Sequence, residues 1–260
     1  MSAVKSKDGT VIAYDQTGSG PAVVIVGGVL GDRSQQAPLA ALLAPHFTIF
    51  NYDRRGHGAS GNTPPYEVER EFEDLDAVLT AAGGSAFVYG TSGPGVLALY
   101  AAAWGLAQRF KKLAIWEPPF ILEGSGRLPP QDYKERLNSL LSEGRRGDMV
   151  ELFFVDAVGM PAEFVAQMRQ APFWSAQEAL APTLVHEADI MGDFSLPTER
   201  VVTVTTPTLV IDGAETPWLS YAAQAVADAL PHAQRRTLKG QPHNVAPEAI
   251  APVLEEYFSS

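Results

Sequence analysis

Phe87-Val-Tyr-Gly-Thr-Ser-Gly-Pro-Gly95, running into Val96-Leu-Ala-Leu-Tyr-Ala-Ala-Ala103, decides how this chain is read. A short apolar run ends in a glycine, a serine follows in a tight turn, and a long Ala/Leu segment without breakers comes next. That is the order strand, sharp turn, helix. Ser92 lies at the apex. A serine held there projects its hydroxyl above the carboxyl edge of a sheet, beside a helix N-terminus whose amide N–H groups stabilise an anion. The stretch departs from G-x-S-x-G in one place: Pro94 holds the position of the second glycine, which falls one residue later at Gly95. Proline fits the first turn of a helix because the N–H it lacks has no intrahelical partner there. Taken alone, Gly90-Thr-Ser-Gly93 reads equally well as a strand-to-helix loop with a capping serine, so its neighbours must decide.

Upstream, Asp8-Gly9 joins two short antiparallel strands near Ala3 to Lys5 and Val11 to Gln16. Ala22-Val-Val-Ile-Val26 is an unbroken apolar run, as in a strand covered on both faces. Gly27-Gly-Val-Leu-Gly31 follows it directly. A helix is expected from about Gln36 to Leu43, then a buried strand, Thr48 to Tyr52, and the loop Asp53-Arg-Arg-Gly-His-Gly-Ala-Ser60. Val68, Phe72, Leu75 and Leu79 stand at helical spacing before the Ser92 strand. Downstream, the strand Leu113 to Trp116 ends in Glu117-Pro-Pro119. The pattern then changes to short amphipathic helices carrying Met149, Met160, Met168 and Met191 with several aromatic residues. Strands resume at Thr208 to Asp212 and Gln234 to Leu238, with helices at Trp218 to Leu230 and Pro247 to Phe258. This alternation predicts an α/β fold: a doubly wound, mostly parallel sheet with crossover helices. The core is expected over 1–119 and 202–260, with a helical cap inserted at 120–201.

Composition narrows the function. The 260 residues, 46% of them hydrophobic, suffice for a large buried core. A net charge of −11 spread along the chain argues against nucleic-acid or anionic-membrane partners. The absence of cysteine excludes disulfides, thiol catalysis and thiolate metal sites. No apolar stretch is long enough to cross a bilayer and the N-terminus lacks a signal-peptide core, so a cytoplasmic protein acting on a small molecule is expected. Nothing in the sequence sets the oligomeric state. No metal-ligand cluster or phosphate-binding glycine fingerprint is evident, and no cofactor is expected.

A serine hydroxyl needs a base within hydrogen-bond reach, and histidine has the pKa for that task. Of five histidines, His243 lies in the loop after the last sheet strand and so shares the carboxyl edge with Ser92. His46 and His232 sit at expected helix ends, His186 in the cap and His57 in a Gly-rich loop. These four read as surface, capping or packing residues.

With these motifs in order, the chain resembles an α/β-hydrolase-fold serine hydrolase with a helical cap, of the esterase and lipase kind, over nearly its full length. Val26-Gly-Gly-Val29 resembles that family's His-Gly-x oxyanion turn, with Gly27 where histidine is common. Asp53-Arg-Arg-Gly-His-Gly-Ala-Ser60 matches its D-x-R-G-x-G-x-S loop, usually structural, and Gly240-Gln-Pro-His243 matches its G-x-x-H. The resemblance implies oxyanion donors at the backbone amides of Val29 and Gly93, with Gly28 a substitute. The family's usual acid position, G-x-x-D after Thr208 to Asp212, is occupied by Thr216, which cannot supply the charge that orients the histidine. Glu117 is favoured instead, because some relatives carry the acid at that strand. Glu215 is the alternative acid, and Asp212 reads as a strand-end hydrogen-bonding residue.

The implied activity is hydrolysis of a small, apolar carboxylic ester, or a lactone or thioester, through an acyl-serine. Leu30, Phe120, Phe153, Phe154, Met160 and Trp218 are the expected pocket-lining positions. Peroxide in place of water would give perhydrolase or haloperoxidase-like chemistry, and another acceptor would give acyl transfer. A ligand-binding protein with little turnover is the reading from a different class.

Overall fold

Every residue of Ala22–Val26 is buried, and the side chains divide cleanly between the two faces of a sheet. Val23 and Ile25 point to one apolar cluster, Val24 and Val26 to the other, as the period of two along a strand requires. In the computed structural model, which describes residues 1–124 and 128–260, this segment is β3 of a single sheet. The strands are β1 (Ser2–Lys5), β2 (Val11–Gly18), β3 (Ala22–Val26), β4 (Thr48–Tyr52), β5 (Ala86–Thr91), β6 (Phe110–Trp116), β7 (Thr208–Ala214) and β8 (Ala233–Gln241). Their spatial order is β1-β2-β4-β3-β5-β6-β7-β8. β1–β2 and β2–β4 pair antiparallel, and every later pair is parallel. The doubly wound sheet expected from the sequence is therefore present, with an antiparallel edge at its start.

Parallel strands need crossover segments that return over a face. The helices are α1 (Ala37–Leu43), α2 (Val68–Ala81), α3 (Gly93–Ala101), α4 (Tyr133–Ser142), α5 (Arg146–Leu152), α6 (Ala162–Met168), α7 (Trp174–Leu180), α8 (Leu184–Met191), α9 (Thr198–Val201), α10 (Pro217–Ala229) and α11 (Pro247–Ser259). Apolar residues of α1 and α11 cover one face, through Leu39, Leu43, Leu254 and Phe258. The other face takes α2, α3 and α10, including Phe72, Leu75, Val96, Leu99 and Val226.

Helices α4 to α9 occupy the stretch between β6 and β7. Tyr133, Leu137, Met149, Val150, Trp174, Leu184 and Ile190 from this stretch belong to the same cluster as α3, so the inserted helices pack continuously onto the α3 face. Met160 and Met168 are half-buried against it, whereas Phe164 and Phe173 are exposed. No helix among the described residues is long and apolar enough to cross a membrane.

Candidate active site

The turn between β5 and α3 places Ser92 where strand becomes helix, with φ 57° and ψ −135°. A non-glycine residue in that region costs on the order of 1–3 kcal/mol and persists only when its surroundings hold it there. Those surroundings are specific. Ser92 N–H donates to the Trp116 carbonyl at the end of β6 (2.8 Å), while Gly95 and Val96 N–H both donate to the Ser92 carbonyl (2.9 and 3.2 Å). Pro94 lies in the first turn of α3, as its missing N–H allows. The displaced glycine has a packing reason. A Cβ on Gly90 would meet Gly95 Cα at 2.7 Å, and one on Gly95 would meet Ile115 Cγ2 at 2.7 Å. Close approach of helix to strand therefore requires glycine at 90 and 95, and leaves 94 free.

His243 follows β8 by two residues, and its ring is 43% exposed. Its Nδ1 lies 2.7 Å from Glu117 Oε2, and the Glu117 carboxylate is only 1% exposed. Glu117 Oε1 accepts from the Gly213 N–H at 2.9 Å, so both carboxylate oxygens are engaged. Gly213 cannot be larger, because a Cβ there would sit 1.8 Å from the Gln241 carbonyl. Trp116, fully buried, ties the parts together: its carbonyl holds Ser92 N–H and its Nε1–H donates to the His243 carbonyl (2.8 Å). With the ring held through Nδ1 by a carboxylate, Nε2 is the nitrogen left to exchange a proton.

The other acids are elsewhere. Glu215 is exposed. Asp212 is buried and accepts from Ser220 Oγ (2.9 Å), Arg235 Nε (2.9 Å) and Thr237 Oγ1 (3.1 Å), a strand-end hydrogen-bonding role. His46 and His232 are exposed, and His57 is buried with Nδ1 against the Arg55 carbonyl at 3.0 Å. His186 stacks on Tyr66 with ring centroids 3.7 Å apart.

Val29, in the turn after β3, lies beside Gly93: a Cβ on Gly93 would be 3.6 Å from Val29 Cγ2. The Asp53 loop is anchored both within itself, Asp53 accepting from Ala59 N–H (2.8 Å), and from outside, by Arg33 N–H (2.7 Å) and the Arg33 guanidinium. Among the expected pocket-lining residues, Leu30 and Phe120 are buried, and Phe153, Phe154, Met160 and Trp218 are half-buried.

Behind Val29 and Gly93 lies an ionic cluster that sequence reading missed. Arg54 donates to both oxygens of Glu71 (2.7 Å each) and through Nη1 to Glu187 Oε1 (2.5 Å), all three side chains being buried. Burial works to raise the Glu71 carboxyl, but the Arg54 charge and hydrogen bonds outweigh it and hold the group low. Burial drives Glu187 the other way, above the ordinary glutamate range, against Arg54. Spacing along the chain gives no sign of the Arg54–Glu187 bond, which joins residues 133 positions apart.

The sheet, the strained serine turn and the carboxylate-held histidine define a class, and family comparison agrees. The chain belongs to the alpha/beta hydrolase family, whose model matches residues 22–254. An alpha/beta hydrolase from Sphaerobacter thermophilus DSM 20745 is 53% identical, with a TM-score of 0.93 over 99% of this chain and 100% of that one. A thermophilic esterase from Thermogutta terrifontis superposes with a TM-score of 0.75 at 20% identity, covering 99% of this chain and 97% of its own. The enol-lactonase from Burkholderia xenovorans LB400 gives 0.73 at 22% identity, with 100% of both chains covered. These two share the fold. An uncharacterized hydrolase from Bacillus subtilis, YraK, is 35% identical over 95 residues, a match spanning only 35% of each chain.

Proposed function

We propose that this protein is a cofactor-independent serine hydrolase that cleaves small carboxylic esters, lactones or thioesters, with Ser92 as nucleophile, His243 as base and Glu117 as the acid that orients it. The observation that carries this reading is the 2.7 Å contact between His243 Nδ1 and the buried Glu117 carboxylate, at the same sheet edge as the Ser92 turn. His243 Nε2 takes the Ser92 proton as Oγ attacks the carbonyl carbon. Glu117 stabilises the imidazolium that results. The backbone N–H groups of Gly93 and Val29 hold the tetrahedral oxyanion, and His243 passes the proton to the leaving group. Water, deprotonated by the same nitrogen, then releases the acid.

The helices between β6 and β7 act as a cap over this edge. In support, Gln177 of α7 donates to the Leu30 carbonyl at 3.2 Å, and Glu187 of α8 reaches Gly93.

The test is intact-mass spectrometry after a small fluorophosphonate, followed by peptide mapping. One adduct on Ser92, absent in His243→Ala, is expected. No adduct under conditions that label a control serine hydrolase would refute the mechanism and leave a binding protein on this fold.

A further inference from the structure

Glu187 has one oxygen committed and one free. Oε1 accepts from Arg54, whereas Oε2 is buried and has no hydrogen-bond partner among the described residues. That free oxygen would lie 3.2 Å from a Cβ built on Gly93, the residue immediately after Ser92. Glycine at 93 therefore leaves the first side-chain position past the serine vacant, and a carboxyl from α8 takes it, beside Val29.

We propose that Glu187 is a specificity-determining residue: its Oε2 donates a hydrogen bond to an acceptor oxygen that the substrate carries next to the scissile carbonyl, selecting esters and lactones of oxygenated acyl groups. This rests on the serine mechanism above.

In this proposal Glu187 acts as a neutral carboxyl donor, and the charge count of the cluster supports that role. Glu71 already takes two of the three Arg54 bonds to this cluster and a third hydrogen bond from Tyr66 Oη (3.0 Å), so one guanidinium charge is matched before Glu187 is reached. A second negative charge beside Gly93 would also oppose the oxyanion forming there, whereas a neutral acid keeps the site attractive to it. Burial raises the carboxyl in the direction this needs.

The probes are p-nitrophenyl butyrate and p-nitrophenyl methoxyacetate, nearly isosteric acyl groups of which only the second carries an ether oxygen. The readout is the ratio of their kcat/KM values in each variant relative to wild type, which cancels intrinsic reactivity. Glu187→Gln keeps a carbonyl for Arg54 and places an N–H donor where Oε2 stood, so the ratio should stay within about twofold. Glu187→Met removes the donor and should lower the ratio about fivefold. Glu187→Asp retracts the acid by one methylene, should lower it similarly, and serves if the methionine variant does not fold. An unchanged ratio in the aspartate variant overturns the inference, as does failure of wild type to cleave the methoxyacetate while fluorophosphonate labels Ser92. Absence of labelling overturns the serine mechanism, and this inference with it.

Discussion

Replacing Glu117 by glutamine changes one atom, and its environment makes the outcome calculable. Oε1 faces the Gly213 N–H (2.9 Å) and Oε2 faces His243 Nδ1 (2.7 Å). If the amide carbonyl stays on Gly213, its NH2 points at Nδ1, which must then accept. The proton moves to Nε2, and His243 can no longer take one from Ser92. If the amide flips, NH2 opposes the Gly213 N–H in a buried site, at a cost of about 1–3 kcal/mol for an unsatisfied donor. Either way the charge that stabilises the imidazolium is gone. The wrong tautomer alone lowers turnover by about 10³- to 10⁴-fold in serine triads, on the order of 4–5.5 kcal/mol of transition-state stabilisation. The assay is kcat on p-nitrophenyl butyrate near pH 8, with the thermal midpoint measured on the same preparations. Glu215→Gln, an exposed change, should stay within about threefold of wild type. A Glu117→Gln enzyme that folds and keeps more than a tenth of wild-type kcat would refute the assignment. An equal loss in Glu215→Gln would move the acid there.

Ser92→Ala and His243→Ala should each abolish measurable turnover with little change in thermal midpoint, and substantial residual activity in either would sink the proposed chemistry. Gly95→Ala places a methyl 2.7 Å from Ile115 Cγ2, so it should destabilise by about 1–3 kcal/mol, measured by urea denaturation; an unchanged midpoint would show that α3 does not need its close approach to β6. Burial first, with Arg54 and His57 adding to it and Glu71 opposing, lowers His186 from 6.5 to about 4. The ring is thus neutral in the fold but protonates in the unfolded chain below 6.5. Its stability contribution is complete above pH 6.5 and is lost as pH falls towards 4, amounting to about 3 kcal/mol. His186→Phe, which keeps the stack on Tyr66, should flatten the fall in thermal midpoint between pH 6.5 and 4. An equally steep fall in the variant would place the acid sensitivity elsewhere.

The strands were legible because burial on both faces leaves a clear mark: Ala22–Val26 and Leu209–Ile211 are wholly apolar, and helices with apolar stripes separate them. The serine turn was legible because glycine, serine and a breaker-free helix must follow a strand in that order. Local pattern could not supply the pairing across strands. Nothing in Glu117-Pro-Pro119 shows that its carboxylate receives Gly213 N–H from 96 residues away, or that Trp116 holds both Ser92 and His243. The Arg54–Glu71–Glu187 cluster was hidden for the same reason, and because a charged residue on an amphipathic helix ordinarily faces solvent. Phe164 and Phe173 show the converse, since aromatic content in the inserted helices did not mean burial.

Under the proposed assignment of Glu117, the absence of an acid at Thr216 fits the register of two neighbouring strands. β6 and β7 run parallel with Trp116 opposite Ile211, so the residues that follow them emerge side by side at one edge, and Glu117 N–H donates to the Ile211 carbonyl (2.8 Å). A carboxylate leaving the end of either strand enters the same space below the histidine loop. Here the end of β6 supplies the carboxylate beside His243 and β7 supplies the glycine N–H that it accepts, while Asp212 is held by Arg235. The positive φ of Glu117, 41°, accompanies this arrangement, turning the side chain back across the strand ends before Pro118 and Pro119 carry the chain away. The close approach of Gln241 requires a residue without a Cβ at 213, and that backbone in turn presents the N–H that Glu117 Oε1 accepts. In the proposed mechanism the acid thus belongs to the β6–β7–β8 edge as a unit, and Thr216→Asp alone would add a charge without the N–H that positions Glu117.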